Sequence, residues 1–201
     1  MAKIVGITGG IASGKSTIVN FLRKNKKPIH DSDQVVKACY LKPSKEFINY
    51  LKKIKLGSAV KNKKIITKII RDEIFNNKKK KKLLEEYLHN KVRISRNKFI
   101  KKHRKIKTKI IFLDIPLLFE KKLKKICDYT VFLYTPEKIR KKRALRRKGM
   151  TKSILEKILK SQLNDREKIK KSDFVIKTFI SKNKSFTNLK KIIEKIKAEE
   201  K

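Results

Sequence analysis

The 201-residue sequence predicts an α/β fold, a parallel five-stranded sheet flanked by helices, and three observations predict it. A short, almost wholly apolar run, "KIVGIT" at 3–8, leads into a glycine-rich turn and then into helical periodicity, the order of a buried parallel strand and its crossover. Similar runs return at 110–119 ("IIFLDIPLLF"), 130–134 ("TVFLY") and 173–177 ("DFVIK"), with helical patterning before or after each. Between Val35 and Lys109 no strand pattern is evident, only helical spacing such as Leu84, Tyr87, Leu88 and Val92, which predicts a helical insertion.

After the first strand, Gly9, Gly14, Lys15 and Ser16 fit G-x-x-x-x-G-K-[ST], the loop whose backbone N–H groups surround nucleotide phosphates. The glycines permit the turn and close backbone approach, Lys15 reaches the β- and γ-phosphates, and the Ser16 hydroxyl suits Mg²⁺. The expected ATP contacts are Gly10, Ile11, Ala12, Ser13, Gly14, Lys15, Ser16 and Thr17. "STIVNFLRK" places Ile18, Val19, Phe21 and Leu22 at helical spacing, so the helix aims its positive end at the anion. Strand before and helix after supply the context a chance glycine-rich turn lacks, and the sheet is of the P-loop NTPase type.

The second strand is short, following Pro28 through Ile29 and His30 to Asp31 and Asp33. Read as strand throughout, period two puts both carboxylates on one side. Strand ends of such sheets line the ligand crevice, so one acid, Asp31, is assigned to Mg²⁺ and the other, Asp33, to a hydroxyl proton as base. The plainer reading of "DSD" is a turn and helix cap, which one acid can supply while the other reacts. In the insertion, His89 and Arg93 lie four apart on a helix face and Arg71 lies on another segment; the plain alternative for His89 is packing or capping. His30 and His103 are read as structural or solvated. Asp114 ends the third strand and ranks below Asp31 as a metal-side acid, since a strand-end Asp often caps a turn.

From Pro136 a helical stretch carries Arg140, Arg143 and Arg147 at spacings of three and four, expected on one face as a catalytic lid over phosphates. Arginine here, in a chain that otherwise uses lysine, favours that over a merely solvated face. Phe186, Leu189, Ile192, Ile193 and Ile196 predict an amphipathic C-terminal helix covering the sheet.

Composition excludes several classes. Cys39 and Cys127 have no CxxC spacing and read as free thiols of a reducing cytoplasm. No apolar run reaches the roughly 18 residues of a membrane span, and "KIVGIT" follows the start without a secretory pattern. The net charge of +41 would alone suggest nucleic acid. Lysine is spread along the whole chain, "KKKKK" at 78–82 included, without a stacking set of aromatics, so a solvated surface and no specific nucleic-acid partner are expected.

Together "GITGGIASGKST", "HDSD" and "IFLDIPLLFE" resemble the dephospho-coenzyme A kinase family, and "IIRDEIF" at 69–75, "LLEEYLH" at 83–89, "TPEKIRKKRALRRKG", Gln162 and "SDFVI" at 172–176 extend the resemblance over about residues 3–176. The resemblance implies an ATP- and Mg²⁺-dependent kinase that phosphorylates the ribose 3′-hydroxyl of dephospho-coenzyme A, with Asp33 as base and Asp33, Arg71, His89 and Arg93 on the substrate. It implies a core of residues 1–34 and 106–201, a lid at about 136–150, and an acceptor-binding insertion at 35–105. A cytoplasmic monomer or small homo-oligomer without membrane attachment is expected. The sequence departs from the family at Ala12 (usually glycine, acceptable if φ stays negative), Lys37 (often arginine), Asn90 (commonly proline) and Thr178 (commonly asparagine). Another small-molecule kinase of shikimate- or nucleotide-kinase type, and a nucleic-acid-binding ATPase, are the alternatives; the guanine motif N-K-x-D of a GTPase is absent.

Overall fold

A computed structural model describes residues 2–75 and 77–199. The chain divides into two compact units, one of residues up to His30 with those from Lys102 onward, the other Asp31–Lys101.

The first unit is built on the sheet. Its strands are β1 (Lys3–Gly9), β2 (Ile29–Asp31), β5 (Ile110–Asp114), β6 (Tyr129–Tyr134) and β7 (Phe174–Lys177), while β3 (Val60–Lys61) and β4 (Lys64–Ile65) form a separate hairpin. The sheet order is β2-β5-β1-β6-β7. Parallel registers pair Val5 with Phe112 and Tyr129, and Val131 with Phe174. The central strands read apolar throughout because helices cover both faces. Helix α1 (Lys15–Lys24) buries Ile18, Val19 and Leu22. The last helix of the chain (Lys182–Ala198) buries Leu189, Ile193 and Ile196 in the same core as Val5, Ile7, Phe112, Val131 and Ile176. Phe21 and Phe186 stack at 4.1 Å between ring centres. The C-terminal helix covers the sheet as its periodicity predicts.

The second unit holds α2 (Ser32–Leu41), α3 (Lys45–Lys53), α4 (Thr67–Phe75) and most of α5 (Lys78–Lys105). Its own core joins Phe47, Leu51, Leu56, Ile70, Leu84 and Leu88. Phe47, Tyr87 and Tyr50 stack in series at 5.1 and 4.4 Å. Two sequence expectations need correction. The insertion is not wholly helical: β3 and β4 pair antiparallel, Val60 with Ile65, around Asn62 and Lys63 at φ 48° and 60°. Positive φ at both central residues is the hairpin-turn geometry usually signalled by Asn-Gly, and lysine in place of glycine hides it. Secondly, the strand carrying "DSD" stops at Asp31, and Asp33 lies in the first turn of α2, so period two does not relate the acids.

The remaining helices, α6 (Glu137–Leu145), α7 (Lys152–Lys160), α8 (Asp165–Lys171) and the C-terminal α9, lie on the first unit. Among the described residues no helix is long and apolar enough to cross a membrane, and both cysteines are free thiols.

Candidate functional site

The loop between β1 and α1 is held in shape from several sides. Ser13 N–H donates to the Gly10 carbonyl (3.1 Å) and Thr17 N–H to the Gly14 carbonyl (3.0 Å), closing the turn into the helix. Gly14 caps α1 at φ 86° and ψ 14°, the left-handed region that glycine enters without a side-chain penalty. Ala12 also lies there, at φ 58°. The condition under which alanine would replace glycine freely is therefore not met, and the methyl group carries a strain of about 1–2 kcal/mol. It gains packing in return: Ala12 is buried against Ala144 of α6 and Leu155 of α7.

Lys15, the first residue of α1, places Nζ 2.7 and 2.9 Å from the two carboxylate oxygens of Asp114 at the end of β5. Asp114 is 3% exposed. A buried carboxylate is tolerated when a cation meets it at such range, so Asp114 fixes the ammonium beside the loop. Sequence reading ranked this acid below Asp31, yet in the structure it is the one that grips the loop lysine. Thr8 donates its hydroxyl to the Pro116 carbonyl (3.0 Å), tying β1 to the segment after β5.

The arginines do not share one face. Arg140 is 4% exposed, donates Nε to the Thr135 carbonyl (2.9 Å) and Nη2 to Asp165 (2.6 Å), and its remaining nitrogen abuts Gly10. Arg143 is exposed, and Arg147 falls beyond the end of α6, where Arg146 caps the helix. The correction has a local cause: α6 ends at Leu145 and closes with a tight turn in which Arg147 N–H donates to the Ala144 carbonyl (3.0 Å), so Arg147 leaves the helical stripe. Asp165 and Thr135 carry no sequence signal as partners of Arg140. Gln162, singled out by resemblance, accepts from Ile11 N–H at 3.4 Å through Oε1. Behind it, the buried Lys168 binds Glu120 (2.8 Å), which also accepts from Leu163 N–H (3.1 Å).

In the second unit Asp31 caps α2, accepting from Gln34 N–H at 2.9 Å, as the plainer reading of "DSD" foresees. Asp33 is exposed. Arg71 is exposed on α4; His89 and Arg93 are exposed on α5, and Arg93 donates to the side chain of Asn90 (2.7 Å). Ser16 is exposed on the first turn of α1, and Thr17 is half-buried beside it.

A phosphate loop with its lysine on a strand-end carboxylate is common to many kinases, and comparison with known proteins decides among them. The family model described as Dephospho-CoA kinase matches residues 3–183. The chain belongs to the dephospho-CoA kinase family. It is 34% identical over 198 residues to the dephospho-CoA kinase of Fusobacterium nucleatum, covering 96% of this chain and 98% of the relative. It is 33% identical over 193 residues to that of Wolbachia pipientis wMel, covering 96% and 97%. Among solved structures it resembles the dephospho-CoA kinase from Campylobacter jejuni (TM-score 0.72, 27% identity, all of both chains). It also resembles TT1252 from Thermus thermophilus (TM-score 0.77, 26% identity, 96% and 97% covered). A dephospho-CoA kinase of this kind is an ATP-dependent transferase, and the shikimate-type alternative is not favoured.

Magnesium fits the chemistry present. Among the described residues no three His, Cys, Asp or Glu side chains cluster into a metal cage. Magnesium in kinases is held by one or two protein oxygens and the substrate phosphates, and the exposed Ser16 hydroxyl is a donor of that type.

Proposed function

We propose that this chain transfers the γ-phosphoryl group of ATP to the ribose 3′-hydroxyl of dephospho-CoA, giving CoA and ADP, the last step of CoA biosynthesis. The observation that carries this reading is the family match over residues 3–183, in a chain whose loop lysine is already braced at a strand-end carboxylate.

The residue roles follow from chemistry. Backbone amides from Gly10 to Thr17 surround the phosphates, and Lys15 neutralises charge between the β- and γ-groups. Asp33, exposed on the first turn of α2, takes the proton from the 3′-hydroxyl. The freed oxygen attacks the γ-phosphorus, the bond to the β–γ bridging oxygen breaks, and ADP leaves with that electron pair. Ser16 and Asp31 are the residues that would hold magnesium, which when bound would supply positive charge to the phosphate oxygens. Arg143 and Arg147, both exposed, close on the transferred group, while Arg140 contributes through the nitrogen beside Gly10. The Asp31–Lys101 unit is assigned to the acceptor, with Arg71, His89 and Arg93 as donors to its phosphates and ribose. In this reading the chain is a cytoplasmic monomer or small homo-oligomer without a specific nucleic-acid partner; two cysteines without CxxC spacing support the reducing compartment, and lysine spread along the whole chain without a stacking set of aromatics supports the solvated surface.

The test is ADP release with dephospho-CoA, shikimate, nucleoside monophosphates and RNA offered in turn. Turnover only with dephospho-CoA is expected; stimulation by RNA alone would remove the reading. Asp33→Asn is expected to lower turnover by at least about 10²-fold while ATP binding persists, and unchanged turnover would remove Asp33 as base.

A further inference from the structure

The carbonyl of Ser13, inside the phosphate loop, is held by a pair of threonine hydroxyls from the ends of two strands. Thr178, just after β7, places Oγ1 2.6 Å from the Ser13 carbonyl and 2.7 Å from the hydroxyl of Thr135, just after β6. Thr135 Oγ1 is 3.3 Å from the same carbonyl. Thr178 Oγ1 also lies 3.0 Å from the Tyr134 carbonyl, which already accepts from Thr178 N–H at 2.9 Å. Each hydroxyl has one proton to give. The shortest set of distances assigns that of Thr178 to Ser13 and that of Thr135 to Thr178, a chain in which each bond strengthens the next. Thr135 is 1% exposed and its own carbonyl is fixed by Arg140, so the chain starts from a rigid point.

A trans peptide unit is planar, with C=O and N–H on opposite sides. Pinning the Ser13 carbonyl toward the threonines therefore turns the Gly14 N–H away from them. Glycine at 14 gives no resistance of its own to rotation of that peptide, since its φ of 86° is one of several regions open to it. We propose that Thr178 and Thr135 are positioning residues which, by holding the Ser13 carbonyl, aim the Gly14 amide at the nucleotide phosphates. Thr178 is also the position where the sequence departs from the asparagine common in its family; here a hydroxyl performs the bracing.

The inference rests on nucleotide binding at this loop, so the experiment reads that binding separately. Calorimetric titration of the full chain with ADP and Mg²⁺ is combined with steady-state kinetics on ATP and dephospho-CoA, for wild type, Thr178→Val, Thr178→Ser and Thr135→Val. Thr178→Val keeps shape and removes the hydroxyl; it is expected to weaken ADP binding and raise KM for ATP by about tenfold, the worth of one well-placed hydrogen bond. KM for dephospho-CoA stays within about twofold, because no acceptor contact is assigned to either threonine, and Thr178→Ser recovers wild-type binding within about threefold. Thr135→Val, which removes the donor to Thr178, shows a smaller loss of about threefold and provides the readout should Thr178→Val fail to fold. Wild-type ADP affinity in both valine variants, or equal rises in both KM values, overturns the positioning role alone. A wild-type chain that binds no ADP overturns it together with the nucleotide-site reading beneath it.

Discussion

Replacing Gly10 by alanine is expected to destabilise the protein through a side chain, not through backbone strain. Gly10 has no positive φ, so its conformation is open to alanine. Space is what it lacks: a Cβ there would stand 2.5 Å from Nη1 of Arg140 and 3.0 Å from its Cζ. The end of a long side chain normally moves aside cheaply. This one is 5% exposed and fastened to the Thr135 carbonyl at 2.9 Å and to Asp165 at 2.6 Å, so moving it breaks two hydrogen bonds made by a charged group. Each is worth about 1.5–3 kcal/mol. Asp165 keeps 20% exposure and regains water, and alanine restricts the unfolded chain by about 0.4–1 kcal/mol, so the net cost is about 2–4 kcal/mol. For a chain of this size that lowers Tm by roughly 6–12 °C. Thermal unfolding without nucleotide measures it, and the same substitution in an Asp165→Ala background separates the causes. With Asp165 gone the guanidinium can move, and the two costs should fall short of additivity by about 1 kcal/mol or more. A Tm for Gly10→Ala within 2 °C of wild type, or strict additivity in the double variant, would refute the reasoning.

Lys168→Met leaves Glu120, whose side chain is 11% exposed, with only the Leu163 amide and is expected to cost about 3 kcal/mol in thermal or urea unfolding; adding Glu120→Leu should recover most of it, because an apolar pair replaces the ion pair nearly evenly. Ala12→Gly relieves about 1–2 kcal/mol of left-handed strain but loses a buried methyl worth about 0.8 kcal/mol and frees the unfolded chain by about 0.4–1 kcal/mol. Its Tm is expected to stay within about 3 °C of wild type, and a rise beyond twice that would mean strain outweighs packing. Burial alone would raise the carboxyl pKa of Asp173, but the hydroxyl and amide of Thr130 and the ammonium of Lys124 hold it below 3.8. A depressed acid contributes stability above its unfolded pKa and loses it as pH falls through the folded value, so the contribution fades only below about pH 4. Asp173→Asn should therefore flatten the acid limb of a Tm-against-pH curve, and an unchanged limb would count against the assignment.

The sheet was legible because burial on both faces writes itself as apolar runs, and β1, β5, β6 and β7 fall on such runs, whereas the short β2 ("IHD") shows only as the stretch between Pro28 and the paired acids. The phosphate loop was legible because close approach to an anion demands glycine, lysine and a hydroxyl at fixed spacing. Features held by tertiary contact were not. Ala12 adopts a left-handed angle that its residue type argues against, since packing on Ala144 and Leu155 offsets the strain. "HDSD" reads as the end of a strand with a helix cap as the plainer alternative, and Asp31 realises the alternative by capping α2, which carries Asp33 onto a helix. Asn62 and Lys63 turn a hairpin without the glycine that would announce one.

The charge balance explains why the braces of the site were harder to see than its motif. With 59 Lys and Arg against 18 Asp and Glu, a lysine at any position carries almost no information, and Lys168 inside "DREKIKK" looks like its neighbours although it is 1% exposed. Carboxylates are scarce, and several of them work over long range. Asp114 holds Lys15, Asp165 holds Arg140 and Glu120 holds Lys168, each pair joined across many residues of sequence and largely shielded from water. The exposed pairs four apart on helices, such as Lys81 with Glu85 and Lys141 with Glu137, contribute only about 0.3–0.5 kcal/mol each. In a chain so rich in lysine, an acid at a buried strand end is thus a better marker of a constrained cation than any lysine. Asp114 meets that description at the end of β5, and the cation it constrains is the lysine of the phosphate loop.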